Sequence, residues 1–492
     1  MSGLSRVPRV RARPASAGPT AGVAEAKAKI APARAAAFEI LTLVGEGKGH
    51  SDELLCGPGS GARTAALSPE DRNLTTALVM GVLRWQIALD ARIGRLLARP
   101  DQRLAEPVAI ALRLGAFQLL HMDRIPAHAA LNESVEMCRA AGHPHAAGMV
   151  NAVLRKLAAA KPTSQSRDVG HPPGPQIFES PAAFAERLAH PLWLVERWVA
   201  AYGREAALAI CEYDQQEPPA GEFFAVDGTD EGAASAQRGE AAPQMDDGSR
   251  LVAELASAAL PDTGDRAPRV WDCCAAPGGK TLTLARRLAG VGSVARGAEI
   301  LATDVSARRL AQMAARLMHY PYAKQVRCAV ADASAAGELL DARHKTSLGA
   351  AFDLILCDVP CSGTGTLARN PEIRLRLQPE ELLRQSARQR AILSGALRRL
   401  APGGRLVYST CSLEPEENER VVEAAAGSIG FRRVPVEPLI ERLAETGVLR
   451  PDIAARLIDS GVIHSGASQG ALRTLPGVHG CDGFFAVILG RN

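Results

Sequence analysis

The chain has 492 residues, a formal net charge of +4 and a hydrophobic fraction of 47%. Because one core rarely grows to this size, the length predicts two or three domains. No run of about 18 apolar residues suggests a membrane span, and the N-terminus lacks the apolar segment of a signal peptide. We therefore expect a cytoplasmic protein, with a monomer favoured, whose positive charge permits a nucleic-acid partner.

The ten cysteines are too few for a disulfide framework in so long a chain, so we expect reduced thiols, including the adjacent pair Cys273 and Cys274. No Cys-x-x-Cys pair and no Cys/His cluster has zinc-ligand spacing, and no metal site is predicted. Four histidines in one segment invite a metal interpretation, but without cysteine partners they are more typical of surface or core positions: His121, His128, His143 and His145.

The N-terminal third divides into a tail and a helical segment. Residues 1–29 mix Arg, Pro, Ala, Ser and Gly without apolar periodicity, which predicts a disordered basic arm or, equally, a solubility tail. From Ala33 the apolar spacing becomes helical, and about six helices fit before residue 160. Ser68 followed by Pro69 and two acids is typical of a helix start.

Several short motifs in this segment carry a resemblance: Val79-x-Gly81-Val82-Leu83-Arg84-Trp85, Leu112-Arg113-x-Gly115-Ala116, Ile125-Pro126, Asn132-Glu133 and Val150-Asn151-Ala152-Val153-Leu154-Arg155. Residues 33–160 thereby resemble the helical RNA-binding domain of the transcription antiterminator NusB. The resemblance implies RNA binding, and a helical scaffold is the alternative.

Residues 161–249 are predicted to form a linker and a connector. Residues 161–182 are rich in Pro, Ser and Gly, a helical stretch begins near His190, and residues 214–249 show neither strand nor helix periodicity. A catalytic domain is predicted for residues 250–492.

After Gly264 the pattern changes to short apolar runs that alternate with helical segments. The runs are Val270-Trp271, Ile300 to Ala302, Val326 to Val330, Phe352 to Leu356 and Arg405 to Tyr408. This alternation predicts a Rossmann-like, doubly wound α/β sheet with its ligands at the carboxyl ends of the strands. The fold class is thus an all-α domain followed by an α/β domain.

The first such strand end begins the stretch Asp272-Cys273-Cys274-Ala275-Ala276-Pro277-Gly278-Gly279-Lys280-Thr281. Its glycines let backbone N–H groups approach a ligand at a helix N-terminus. A nucleotide P-loop would need glycine at position 274, so that interpretation fails. Asp304 ends the second strand, where it can accept from ribose hydroxyls, and Asp332 ends the third, near an adenine edge. The set predicts an adenosine-containing cofactor; purely structural turns are the alternative.

A second glycine pattern, Gly363-Thr364-Gly365-Thr366-Leu367-Ala368, matches a dinucleotide motif. Asn370-Pro371 would break the required helix, so we interpret this pattern as a loop along the substrate. Arg369 and Arg374 are then candidates for phosphate contacts.

Two cysteine motifs follow strand ends: Cys357-Asp358-Val359-Pro360-Cys361-Ser362 and Ser409-Thr410-Cys411-Ser412. Together with CCAAPGGKT, ATDVSARRL and YSTCSLEPEENE, they resemble the S-adenosylmethionine-dependent RNA cytosine-5 methyltransferases. With the helical segment in front, the whole chain resembles the bacterial small-subunit (16S) ribosomal RNA methyltransferase B type, also called Sun or Fmu. The resemblance implies S-adenosyl-L-methionine as cofactor and ribosomal RNA as partner. It implies cofactor contacts at Cys274, Ala275, Ala276, Pro277, Gly278, Gly279, Lys280, Asp304, Asp332 and Asp358; candidate RNA contacts are Arg309, Arg369 and Arg374.

The chemistry of cytosine supports two cysteines independently. Carbon 5 is a poor nucleophile until a thiolate adds to carbon 6, and afterwards the C5 proton and the thiolate must both leave. We predict that Asp358 stabilises the adduct near N3. The resemblance makes Cys411 the nucleophile and Cys361 the group that assists release, although DNA cytosine methyltransferases attack with the Pro-Cys cysteine. A helix start at Glu414-Pro415-Glu416-Glu417 would favour a Cys411 thiolate.

Other functions remain open at this stage. A methyltransferase for proteins or small molecules is disfavoured by the cysteine pair, and a tRNA cytosine-5 methyltransferase is an alternative. An RNA-binding assembly factor without activity is another, because the connector between Glu217 and Asp246 is short and acidic for the family that the chain resembles. A dehydrogenase is the weakest, since no residue set suggests hydride chemistry.

Overall fold

The computed structural model describes most of the chain outside the N-terminal arm and a few internal segments. The described residues are 30–56, 64, 66–100, 103–160, 179–219, 221–224, 245–289, 298–335, 338–343, 347–349, 351–426, 430–464 and 468–492. The predicted arm, 1–29, lies outside them. The chain forms two compact units, Met1–Gly174 and Pro175–Asn492.

The first unit contains six α-helices in its described part, as the periodicity predicts. They are α1 Pro32–Gly45, α2 Ser51–Cys56, α3 Pro69–Gly94, α4 Glu106–His121, α5 Ala127–Ala140 and α6 Ala147–Ala159. The predicted start of α3 is confirmed, because the Ser68 side chain accepts a hydrogen bond from the Asp71 N–H. This bond satisfies one of the backbone donors that a helix leaves free at its N-terminus.

Two glycines explain why the helices of this unit pack closely. A Cβ at Gly81 of α3 would lie 1.9 Å from the Phe117 ring of α4, and one at Gly115 would lie 2.6 Å from Leu154. Arg34 is 7% exposed and donates to Gln118 and Glu133, at 2.7 and 3.0 Å. The resembling motifs Val79–Trp85 and Leu112–Ala116 therefore mark positions where side chains of a neighbouring helix pack onto a glycine.

The second unit is an α/β structure with additional helices at its start. Its helices before the sheet are α7 Pro181–Arg187, α8 Leu192–Tyr202, α9 Arg204–Tyr213 and α10 Asp247–Ala258. Its later helices are α11 Gly279–Arg287, α12 Ala307–Leu317, α13 Ile373–Arg376, α14 Pro379–Leu397, α15 Glu419–Ala426, α16 Glu437–Glu445 and α17 Pro451–Arg456. The strands are β1 Arg269–Asp272, β2 Glu299–Asp304, β3 Val326–Val330, β4 Phe352–Asp358, β5 Leu400–Thr410, β6 Phe431–Val434, β7 Leu472–Thr474 and β8 Phe484–Arg491.

The eight strands form one sheet in the order β3-β2-β1-β4-β5-β8-β6, with β7 also paired to β8. Strands β1 to β5 pair in parallel, whereas β8 runs antiparallel to β5, β6 and β7. The predicted doubly wound sheet is confirmed, and its carboxyl edge collects the ends of β1, β2, β3, β4 and β5.

Both faces of the sheet are covered, which is why its central strands carry apolar residues on both sides. In β4, Leu354 and Leu356 belong to the core on one face with α10 and α16, while Ile355 and Cys357 belong to the core on the other face with α14 and α15. Parallel strands buried on both faces have continuous rather than alternating apolar patterns.

Of the predicted linker and connector, 161–249, residues 161–178, 220 and 225–244 lie outside the described residues, and the described remainder packs against the catalytic segment. Helices α7, α8 and α9 share a core with Leu367 and Leu413 of the catalytic segment. Phe223 and Phe224 are buried with α10, and the Asp247 carboxylate accepts from both Glu222 N and Phe223 N. The catalytic unit therefore includes residues before 250, because scattered apolar residues can complete a core without any periodicity.

Candidate active site

The carboxyl edge of the sheet brings together residues from three predicted motifs. Cys361 and Cys411 follow β4 and β5, and their Sγ atoms lie 3.3 Å apart. Both are partly buried. The hydrogen bond with Cys411, followed by burial, raises the pKa of the Cys361 thiol well above its usual value. The neutral thiol of Cys361 is thus favoured beside the Cys411 sulfur.

An ion pair stands beside the two cysteines. Lys280 at the start of α11 lies 2.8 Å from Asp358 Oδ2, and Asp358 Oδ1 accepts from Ser409 Oγ at 2.8 Å. Burial alone would lower the pKa of Lys280, but the charges of Asp358 and Cys411 outweigh it and the pKa is raised. Lys280, predicted only as a cofactor contact, is therefore held as a cation paired with Asp358.

The loop between β1 and α11 lies next to this pair. Gly278 has φ of 103°, a conformation that favours glycine, and it caps α11. Asp272 is 1% exposed and accepts from Thr281 Oγ1 at 2.6 Å. Burial, opposed by that hydrogen bond, raises the pKa of Asp272 to about 7. The hydrogen bond between Asp272 and Thr281 thereby stabilises the loop at its two ends.

A cavity of about 150 Å³ opens beside this loop. Its lining combines two carboxylates with apolar and thiol groups: Cys273, Cys274, Asp304, Val305, Asp332 and Pro360. Asp304 Oδ1 accepts from Ser306 N at 2.8 Å, and Asp332 Oδ1 accepts from Ser334 N at 2.9 Å, so both carboxylates are oriented by the loops that follow β2 and β3. This donor set fits a group that carries hydroxyls and a flat ring.

The three arginines predicted as RNA contacts occupy other places. Arg374 is 2% exposed and donates to the backbone carbonyls of Asp214, Ala189 and Leu367, so it is not available to a phosphate. Arg369 bridges Asp246 and Asp482 at 2.9 and 3.0 Å. The prediction that Arg374 contacts a phosphate is wrong, because its guanidinium donates to buried backbone carbonyls instead.

Arg309 lines the cavity and is also exposed at the surface. Its guanidinium donates to Ala276 O at 2.6 Å and lies 3.6 Å from the Asp304 carboxylate. It therefore connects α12 to the loop after β1, and its role as an RNA contact stays a prediction.

The predicted helix start after Cys411 is also corrected. Helix α15 begins at Glu419, while the preceding acids take side-chain partners: Glu414 accepts from Arg197 and Trp198, and Glu416 accepts from Arg197. The helix terminus therefore lies farther along the chain from Cys411 than expected.

Four residues of the site have no assigned role in the sequence analysis: Ser362, Gln389, Ser412 and Glu417. Glu417 is fully buried and accepts from Ser362 and Ser412, each of which directly follows one of the two cysteines. The available signal was the repeated pair Cys-Ser in both motifs. Within the described part of the chain, no three His, Cys, Asp or Glu side chains converge as a metal site.

The doubly wound sheet, with Asp304 and Asp332 lining a cavity where β2 and β3 end, is the architecture of a Rossmann-like methyltransferase that uses S-adenosylmethionine. Family models agree: residues 260–490 match 16S rRNA methyltransferase RsmB/F, and residues 31–159 match the NusB family. The chain belongs to the RsmB/F family of methyltransferases and carries a NusB domain.

Relatives over the full length support this assignment. The chain is 31% identical to ribosomal RNA small subunit methyltransferase B of Xanthomonas campestris, covering 95% of this chain and 98% of the relative. It is 30% identical to a probable ribosomal RNA small subunit methyltransferase B of Bacillus subtilis, covering 91% and 96%. The crystal structure of PH0851 shares the fold, with a TM-score of 0.65, 20% identity and coverage of 94% and 99%.

Proposed function

We propose that this protein methylates carbon 5 of a cytosine in small-subunit ribosomal RNA through a covalent adduct on Cys411. The observation that carries the proposal is the pair of sulfurs, 3.3 Å apart, beside the Lys280–Asp358 ion pair. A methyltransferase acting on an already nucleophilic atom needs no such thiol pair. The relatives' names supply the RNA class.

The residues divide the reaction among them. Asp304 and Asp332 would hold the cofactor's adenosine together with the loop from Cys274 to Lys280, and S-adenosylmethionine, when bound, supplies an electrophilic methyl group. The Cys411 thiolate adds to C6, which moves electron density towards C5. Asp358 and Lys280 provide an acceptor and a cation at the polar edge of the base, where the adduct's charge develops.

Release requires a second step at the same ring. A base takes the C5 proton, and the electrons of that bond restore the C5–C6 double bond while the Cys411 sulfur leaves as a thiolate. Cys361 is placed to act as an acid–base group in this release step, because its sulfur lies beside that of Cys411. The target cytosine has to leave its stack to reach this pocket.

Two alanine variants test the mechanism. Incubated with small-subunit RNA and cofactor, Cys411→Ala should form no adduct and no product, whereas Cys361→Ala should accumulate a complex that survives a denaturing gel. Accumulation in Cys411→Ala instead would exchange the two roles. Absence of an adduct in both variants, with full methylation by one of them, would overturn the covalent mechanism.

The substrate is tested separately. Bisulfite mapping of RNA from cells that lack the protein should reveal one unmethylated cytosine in small-subunit ribosomal RNA. Loss of a methyl group from tRNA alone would transfer the activity to that RNA, and no change in any RNA would favour an assembly factor without activity.

A further inference from the structure

One buried carboxylate, that of Glu417, accepts hydrogen bonds from both cysteine loops, which Val359 N and Ser409 O also join directly at 3.0 Å. Glu417 Oε1 accepts from Ser362 N at 2.9 Å, and its Oε2 accepts from the hydroxyls of both Ser362 and Ser412, the latter at 2.5 Å. The two hydroxyl oxygens lie 3.1 Å apart. Gln389 donates to Glu417 Oε1 and to Pro360 O, each at 2.9 Å.

A carboxylate that accepts hydrogen bonds from both loops fixes the distance between them. Charge-assisted hydrogen bonds are roughly twice as strong as neutral ones, and a buried carboxylate cannot exchange them for water. Ser362 and Ser412 are each one residue from a cysteine, so small shifts of either serine move the adjacent sulfur. The close approach of the two sulfurs therefore depends on a side chain that contacts neither of them.

The two loops depend on Glu417 to different degrees. The loop after β5 has a support of its own, because Asn418 Nδ2 donates to Ser412 O at 2.8 Å. Two further bonds of 2.9 Å, from Gly365 N to Cys411 O and from Leu413 N to Thr364 Oγ1, tie the two loops to each other. Around Cys361, Gln389 donates to the Pro360 carbonyl. Ser362 contacts Glu417 through its N–H and its hydroxyl, and Ser412 through its hydroxyl. Loss of the Glu417 carboxylate should increase the positional freedom of Cys361 more than that of Cys411.

We propose that Glu417 is a positioning residue that holds Cys361 against Cys411 and so controls release of the methylated base. The proposal rests on the proposed function for its catalytic consequence, because only a covalent adduct needs a second cysteine for release. Its geometric part, the juxtaposition of the sulfurs, stands on the hydrogen bonds alone.

The first experiment measures that juxtaposition without RNA. Diamide, an azo oxidant, converts two thiols to a disulfide and takes up their two protons and two electrons as a hydrazine. Mass spectrometry of the Cys361–Cys411 peptide pair follows closure in the full-length protein. We expect Glu417→Gln to close at least tenfold more slowly than the wild type, and closure at the wild-type rate would overturn the proposal.

Glu416→Gln is the matched control. Glu416 is the neighbouring acid, and its carboxylate pairs with Arg197 and Arg420 rather than with either cysteine loop. It should close its disulfide at the wild-type rate. If Glu417→Gln fails to fold, as judged by thermal unfolding and cofactor affinity, Ser362→Ala and Ser412→Ala each remove one arm of the same contact, and Ser362→Ala should slow closure more.

The second experiment measures partition between adduct and product with RNA and cofactor. Glu417→Gln should accumulate the gel-stable complex, as Cys361→Ala does, with little change in the rate of attack. Slow closure without accumulation, when Cys361→Ala does accumulate, would overturn the role in release. If no variant forms an adduct, the proposed function fails, while the closure rates still decide whether Glu417 positions the sulfurs.

Discussion

At the scale of single residues, burial determines how the charges of the site respond to pH. Asp272 illustrates this, because burial raises its pKa to about 7 from an unfolded value near 3.8. A raised carboxyl pKa favours folding below the unfolded pKa, and this advantage is lost as pH rises towards the folded pKa.

We therefore expect the unfolding free energy of the wild type to fall between about pH 4 and 7, by on the order of a few kcal/mol from this residue. Asp272→Asn keeps an acceptor for Thr281 and removes the titration. Denaturant unfolding of both proteins across this pH range should give a flatter profile for the variant. Parallel profiles would mean that Asp272 is ionised in the folded protein well below pH 7.

Asp304 is the residue on which cofactor affinity should depend most directly. Asp304→Ala removes a carboxylate from the cavity and should weaken S-adenosylmethionine binding by about 1–3 kcal/mol, measured by calorimetry. Asp304→Asn is the control, since it keeps an acceptor for Ser306 N and loses only the charge. Unchanged affinity in the alanine variant would remove Asp304 from the cofactor site.

The residue types at the strand ends could be predicted from sequence, because each directly follows an apolar run. Their partners could not, because pairing is decided by three-dimensional proximity. Lys280 and Asp358 are far apart in sequence yet in contact, and Arg374 is buried where its motif suggested a phosphate. The acids of the segment after Cys411 indicated a helix start, but three of them serve other side chains instead.

At the scale of elements, the loop after Cys361 and the turn before β8 cross at two glycines. A Cβ at Gly365 would lie 2.3 Å from Gly483 O, and Gly483 N donates to Gly365 O at 2.8 Å. The backbones therefore touch without side chains between them. This contact anchors the substrate-side loop to the sheet.

Gly365→Ala should consequently destabilise the protein by about 1–3 kcal/mol, because neither backbone can retreat without breaking that hydrogen bond. Gly148→Ala in α6 is the contrasting variant: a Cβ at Gly148 would meet no atom within 4 Å, so an effect near zero or a slight gain is expected. Thermal unfolding compares them, and equal melting temperatures for Gly365→Ala and the wild type would show that the loop moves freely.

The five parallel strands could be predicted because each is a compact apolar run before a helical segment. Strands β6, β7 and β8 were not predicted. β6 is Phe-Arg-Arg-Val at the sheet edge, too short and too charged to give a pattern. β8 is apolar on both faces, and only its place between β5 and β6 shows that it belongs to the same sheet.

At the scale of the whole molecule, each compact unit has its own core. No helix of the described residues is long and apolar enough to cross a membrane. The helical unit matches the NusB family, and the predicted division of labour assigns RNA affinity to it and cofactor binding to the second unit.

Removal of residues 1–160 should therefore leave S-adenosylmethionine affinity unchanged and weaken RNA binding, with a shallower dependence on salt because fewer phosphates are contacted. Calorimetry and RNA titrations at several salt concentrations measure the two effects. RNA affinity and salt dependence equal to those of the full chain would reduce the helical unit to a scaffold.

The position of β8 has a consequence for synthesis of the chain. β8 pairs with β5, yet residues 411–483 are made between them, which takes about 4–15 s at ordinary elongation rates. During that interval one edge of β5 is without its partner. Cys411, which directly follows this strand, has already been synthesised. The nascent protein consequently carries the Cys411 sulfur for seconds before the strand that completes its surroundings exists.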